Sequence, residues 1–344
     1  MKCEVSIDWL TFSVKEAAAN EVIEDWLGLN PDLFQETGLS INGYQRVKVF
    51  SNIYVMSEPR ENKFFQNMGV CVSMSGNGCR TFETFSRFAD TPDKQGQESA
   101  SFLTLFQRID TDPNAHITRL DIACDEREGI LDMKTIVQCV ENGEINSRLK
   151  KRRVIFAKDN KKDDGCTVYI GAASSGVRFR IYDKAAEQHT DEHWVRVEMV
   201  LRGRNANGFV SELMNGQGRD TGKLAAQVMN DKLLFIELDD SNISRCTVCS
   251  WWSAFVDELE SVHLVARSVI QHSVEHIAEW VRNQVTPSLY ILTHTMGFEF
   301  MQDIIEEALE RLTSKQEALI TDWRAIQTAR RNAGLPLPQT SAAV

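Results

Sequence analysis

The chain has 344 residues, of which 42% are hydrophobic and 25% charged, and its formal net charge is -11. That is the composition of an ordinary globular protein, long enough for two modest domains or one large one. The acidic balance excludes a protein that coats nucleic acid without specificity, yet it leaves room for a local basic site.

Met1 to Val14 carries Lys2, Glu4 and Asp8 among its apolar residues, and no long uncharged apolar run follows, so neither a secretory signal nor membrane attachment is expected. The eight cysteines lack framework spacing and fit reduced thiols in a cytoplasmic protein. Cys246-x-x-Cys249 is half of a zinc pattern with no second half.

In chain order, Val5 to Val14 reads as a strand and Glu16 to Leu27 as a short helix ending at Gly28. Gly43 to Met56 and Gly69 to Met74 read as strands, the second closing in the turn Ser75-Gly76-Asn77-Gly78. One helix is expected from about Thr81 or Glu83, and another over Ser99 to Ile109. Lys150, Lys151, Arg152 and Arg153, with Lys158, Lys161 and Lys162, form a basic cluster that is either a duplex or hairpin clamp or a solvated loop.

Three strand candidates share an unusual division. Ile117 to Asp125 places Arg119, Asp121 and Asp125 opposite Leu120, Ile122 and Cys124. Trp194 to Arg202 places Arg196 and Glu198 opposite Val195, Val197, Met199 and Leu201. Val177 to Lys184 sets Arg178, Arg180, Tyr182 and Lys184 against Val177, Phe179 and Ile181. Gly165 to Gly171 and the turn Ser174-Ser175-Gly176 precede this last strand as a hairpin, which would fix its register. A sheet that packs its apolar face on helices would thus present acids, arginines and a tyrosine outward.

Beyond about Asn205 the pattern becomes helical: Phe209 to Met214, Leu224 to Met229, the Trp251-Trp252 segment, Val274 to Val285 and Ser288 to Leu319. Thr286-Pro287 starts the last of these, and the tail from Gly334 reads as flexible. His272 and His276 are four apart, but Glu275 and Glu279 beside them fit an ordinary exposed helix. The fold class is α+β. Residues 1–205 are expected to form a catalytic domain, 206–333 a mostly helical region and 334–344 a tail.

The chain resembles the replication initiation factor family, the single-tyrosine rolling-circle initiators of filamentous phages and small plasmids. The matching pieces are Ile7 to Phe12, Met74 to Arg80, Arg119 to Asp125, Thr167 to Gly171, Arg180 to Lys184 and Val195 to Glu198, with the Trp251-Trp252 segment and the Thr286 to Leu319 helices. Their order spans nearly the whole chain, and the phage branch fits better than the plasmid branch. The resemblance implies an antiparallel-sheet domain like that of nicking endonucleases and relaxases. It also implies origin-specific, metal-dependent nicking and strand transfer through a 5′-phosphotyrosine.

Tyr182 matches the family's nucleophile, with Tyr169 as the rival of lower rank. Asp121 and Glu198 match its metal ligands and Asp125 less closely. The His-hydrophobe-His motif of the wider nuclease class is absent, so carboxylates would hold Mg²⁺ or Mn²⁺. A tyrosine ordinarily titrates near pH 10, so Arg180, Lys184 and the metal are expected to favour its phenolate. Arg119, Arg178, Arg196 and Arg202 either grip phosphates or pair with Asp121, Asp125 or Glu198, Arg178 and Arg202 lying nearer the strand ends. The family further implies origin DNA, a host helicase and a replicative polymerase as partners, and a homodimer is compatible with it. Two other readings stand beside this one: a conjugative or integrative relaxase, and a non-catalytic DNA-binding regulator.

Overall fold

A computed structural model describes residues 3–61, 68–86, 88, 100–159, 162–216, 220–260, 281–308, 311, 312 and 320. The tail from Gly334, the pair His272 and His276, and most of the expected Val274 to Val285 helix lie outside the described residues. By their contacts the residues fall into two units, Met1–Val265 and Ala266–Val344.

The first unit is built on a ten-stranded sheet in which every pairing is antiparallel. Its strands are β1 (Cys3–Val14), β2 (Gln35–Thr37), β3 (Tyr44–Phe50), β4 (Ile53–Pro59), β5 (Val70–Ser75), β6 (Ala115–Glu126), β8 (Arg152–Asp159), β9 (Lys162–Ile170), β10 (Val177–Asp183) and β11 (Val195–Arg202). A separate two-stranded ribbon joins β7 (Ile145–Asn146) to β12 (Leu234–Phe235). The large sheet runs β2-β3-β4-β5-β1-β6-β11-β10-β9-β8, which brings the three loaded strands β6, β11 and β10 side by side at its centre.

Alternation sorts these central strands as the sequence suggests. Leu120, Ile122, Cys124, Phe179, Ile181, Val197, Met199 and Leu201 are all buried in one continuous core. Helices cover that face. α2 (Asn77–Phe85), α3 (Ala100–Thr111), α6 (Arg204–Asn215) and α8 (Ser250–Glu260) contribute Phe82, Phe102, Phe106, Phe209, Trp252 and Phe255 to the same core, and α7 (Thr221–Lys232) packs with α8. Burying aromatic side chains of this size yields roughly 2–3 kcal/mol each, the main force holding the helices on the sheet.

Several elements depart from the sequence reading. Gly43 to Met56 is a hairpin, because Ser51 and Asn52 both adopt positive φ (42° and 64°) and reverse the chain between β3 and β4. The expected Glu16 to Leu27 helix is a single turn, α1 (Ala19–Glu21), continued as a wider π turn over Val22–Trp26. α4 (Met133–Asn142) is an additional helix, capped by the Asp132 side chain and ended by Gly143 at φ 80°. The basic segment from Arg152 is strand β8 and not a loop.

In the second unit, Gly297 at φ 89° divides the expected Ser288 to Leu319 helix into α9 (Thr286–Met296) and α10 (Phe298–Ala308). Among the described residues, no helix is long and apolar enough to cross a membrane.

Candidate active site

Tyr182 is placed by a register that two neighbours enforce. It pairs with Arg196 on β11 and with Thr167 on β9, while Arg180 pairs with Glu198 and Tyr169. The hairpin from β9 to β10 closes at Gly171, whose φ of 104° and 3.1 Å approach of a would-be Cβ to the Val177 carbonyl favour glycine. A slip of one residue would turn Tyr182 into the core and Ile181 outward.

The phenol is 3% exposed and its hydroxyl donates to Glu198 Oε1 at 2.7 Å. Burial first, and then the Glu198 charge, raise the Tyr182 pKa above its ordinary value. The Arg180 guanidinium is 4.1 Å and Lys184 Nζ 5.6 Å from the ring centroid, and the Arg196 charge lowers the Tyr182 pKa less than burial and Glu198 raise it. This reverses the expectation of a cation-favoured phenolate, because the charge nearest the hydroxyl is a carboxylate.

Lys184 is also off the strand. Asp183 ends β10 and caps α5 (Lys184–Gln188), accepting from the Ala186 amide at 2.8 Å, and Lys184 pairs with Glu187. Strand alternation therefore does not extend to it.

The carboxylates differ in what they face. Glu198 is 3% exposed; its Oε2 accepts from Arg180 at 3.3 Å, and burial raises its pKa against the pull of Arg180. Asp121 is held by Arg119, which donates from Nε and from a terminal nitrogen at 2.9 and 2.5 Å, and burial again raises its pKa. Asp125 is claimed on both oxygens: Arg196 donates to them at 2.6 and 2.8 Å, and Trp194 Nε1 donates at 2.7 Å.

Asp8 completes the group. A β-bulge between Ile7 and Trp9 turns both Asp8 and Trp9 outward, where Asp8 accepts from Arg196 at 3.0 Å. Its charge raises the pKa of both Asp121 and Glu198. Strict alternation gives Asp8 no definite side, since it sets that residue opposite Ile7 but beside Leu10, both in the core; only the bulge reconciles the two.

In donor type, the oxygens of Asp121 and Glu198 suit a hard divalent cation that keeps several waters. Among the described residues, no three acidic, histidine or cysteine side chains are gathered as a complete cage.

The other sequence candidates divide. Arg153 pairs with Tyr169 and so shares the outward face with Arg180 and Tyr182. Arg152, one residue away, turns to the opposite side and donates to the Ile145 carbonyl at 3.2 Å. Lys150 and Lys151 are exposed just before β8. Arg178 stacks on Tyr169 at 4.1 Å, which sets the rival tyrosine on the same face without a carboxylate at its hydroxyl among the described residues.

Comparisons with known proteins agree with the fold. Residues 4–104 match the family model described as the rolling-circle replication initiation protein N-terminal domain. The chain is 24% identical over 335 residues to the putative DNA relaxase NicK of Bacillus subtilis (strain 168), covering 93% of this chain and 89% of that one. It is similar to the solved structure of a rolling-circle replication initiator protein from Geobacillus stearothermophilus, with a TM-score of 0.65 and 25% identity, covering 76% of this chain and 98% of the other. Residues 115–309, more than half of the chain and including every central strand of the site, match the replication initiation factor model, and the chain belongs to that family.

Proposed function

We propose that the protein initiates rolling-circle DNA replication by nicking one strand at an origin through Tyr182 and later transferring that strand. The observation that carries this reading is the 2.7 Å hydrogen bond from a buried tyrosine to a buried carboxylate on a sheet face lined with guanidinium groups. A tyrosine needs a proton acceptor to become a nucleophile, and Glu198 is positioned as that acceptor.

In the proposed step, Tyr182 Oη bonds to the scissile phosphorus and its proton passes to Glu198. The bond from phosphorus to the 3′ oxygen breaks, and that oxygen leaves as a hydroxyl after taking a proton from water. The 5′ phosphate remains on Tyr182, so the energy of the phosphodiester is kept for rejoining, and the free 3′-hydroxyl can be extended by a polymerase. Arg180 and Lys184, beside the phenol, would hold the non-bridging oxygens. Asp121 and Glu198 would hold Mg²⁺ or Mn²⁺, which when bound supplies Lewis-acid stabilisation to the phosphate. Asp125 we assign to ordering Arg196 and not to the metal, since three donors from Arg196 and Trp194 converge on it, against two each on Asp121 and Glu198.

The chemistry lies within residues 1–205, and the helices that follow complete the core behind it. A second reading, relaxase of a conjugative or integrative element, is favoured by the likeness to NicK; it shares the nicking step and differs in the DNA served. Incubating the purified protein with supercoiled plasmids carrying either its own replicon or a transfer origin tests both. Nicked circles from the replicon plasmid alone support initiation, nicked circles from the transfer origin alone support the relaxase reading, and no nicking of either removes the proposal.

A further inference from the structure

Arg119, Arg178 and Arg202 gather on the outward face beside the nicking site. Arg202 pairs with Arg119 across β11 and β6, while Arg178 pairs with Val200 on the next strand. Burial and the charges of Arg119 and Arg178 lower the pKa of Arg202, and Asp121 offsets this only in part. Three guanidiniums at close quarters repel one another, so the arrangement needs a reason beyond internal pairing.

Arg119 is tied down, with two bonds to Asp121 and its guanidinium 3.9 Å from the Trp9 ring centroid. Arg178 is held flat on Tyr169 at 4.1 Å. Neither Arg178 nor Arg202 forms an ion pair among the described residues, and the Nε of each is buried without a hydrogen-bond partner. Leaving a buried donor unmet is costly. These side chains are thus pre-ordered by strand and ring, with Asp121 already committed to Arg119 and buried donors of Arg178 and Arg202 left over. That is the condition under which guanidinium groups bind a phosphate well.

We infer that Arg119, Arg178 and Arg202 form a second phosphate subsite, which holds a backbone phosphate of single-stranded DNA a few nucleotides from the bond attacked by Tyr182. The inference rests on the proposed nicking function for its biological sense. Arg178 lies four residues along β10 from Tyr182, about 13 Å at strand rise, on the same face. Trp9 and Tyr169 interleaved with cations on an open sheet suit a single strand, whose bases can lie on ring faces. The subsite would fix which phosphate reaches the phenol.

The test is fluorescence anisotropy of labelled oligothymidylate against salt, using the full chain. The double variant Arg178→Gln/Arg202→Gln should bind at least about tenfold more weakly, and its plot of log affinity against log salt should flatten by about 0.7, the value for one single-strand phosphate. Arg202→Lys should keep the slope, which guards against a variant that merely unfolds. Arg46→Gln, at an exposed ion pair on β3, should keep both affinity and slope, and because binding oligothymidylate requires no nicking, a failure of the nicking proposal is separable from a failure of this one. Unchanged affinity and slope in the folded double variant would overturn the subsite, and so would a loss confined to duplex DNA.

Discussion

Tyr182 and Glu198 share one hydrogen bond, and in the proposed step the direction of that bond decides how the nucleophile would be made. The phenol keeps its proton until a base takes it, and Glu198 is a base only when ionised. Because burial raises Glu198 above the usual carboxylate range, the acid limb of the nicking profile should lie above the ordinary glutamate value of about 4.3. Glu198→Gln preserves size and an oxygen but cannot accept the proton; nicking rates should fall about 100- to 10,000-fold and the acid limb should disappear. Retention of that limb in the variant would assign it to another group. Stability follows with a definite sign. The folded state holds the Asp121 and Glu198 protons more tightly than the unfolded chain does, so their contribution is greatest at low pH and is lost as pH rises through their raised values. Denaturant titrations of the unaltered protein and Glu198→Gln should therefore differ increasingly in favour of the variant between about pH 4 and neutrality.

At the scale of elements, the ladder of β6, β11 and β10 is the platform, and the Asp125–Arg196 pair joins two of its strands beside Tyr182 on the same face. Removing one member of a buried pair strands the other, so Asp125→Ala should cost about 3–5 kcal/mol in urea unfolding, whereas breaking a surface ion pair such as Arg46–Glu36 should leave the urea midpoint nearly unchanged. Phe179→Ala, behind Tyr182, should cost about 3–5 kcal/mol by opening a cavity. The division of Arg119, Asp121, Glu198, Arg180 and Tyr182 from their apolar neighbours was legible in the sequence, because strand alternation alone decides it. What period-two reasoning lacks is any way to count an extra residue: the bulge that exposes Asp8 and the left-handed pair Ser51-Asn52 both break the period. Lys184 was misplaced for a related reason, as Asp183 is a helix cap whose side chain stops the strand. The signals for α4 were present in Asp132 and Gly143, a cap and a terminator at helical spacing. The contact between Arg202, Arg119 and Arg178 depends on strand order, which pattern within single strands does not reveal.

Across the whole molecule, an acidic chain of net charge -11 concentrates guanidinium groups on one side of its sheet. Arg153, Arg180, Arg178, Arg202 and Arg119 follow one another across β8, β10, β11 and β6 on the outward face, while helices fill the other side. Under the proposed function, such an arrangement would draw DNA to that face. The helices Arg204–Asn215, Thr221–Lys232 and Ser250–Glu260 belong to the same compact unit as the sheet, so the sheet that carries the proposed site shares a core that residues beyond 205 complete. The most direct measurement is mass spectrometry of the protein after incubation with supercoiled replicon DNA, Mg²⁺ or Mn²⁺, and exhaustive nuclease digestion. A nucleotide remnant esterified to Tyr182, and absent from Tyr182→Phe, is the predicted result; an adduct that persists in Tyr182→Phe, or that maps to Tyr169, would contradict it.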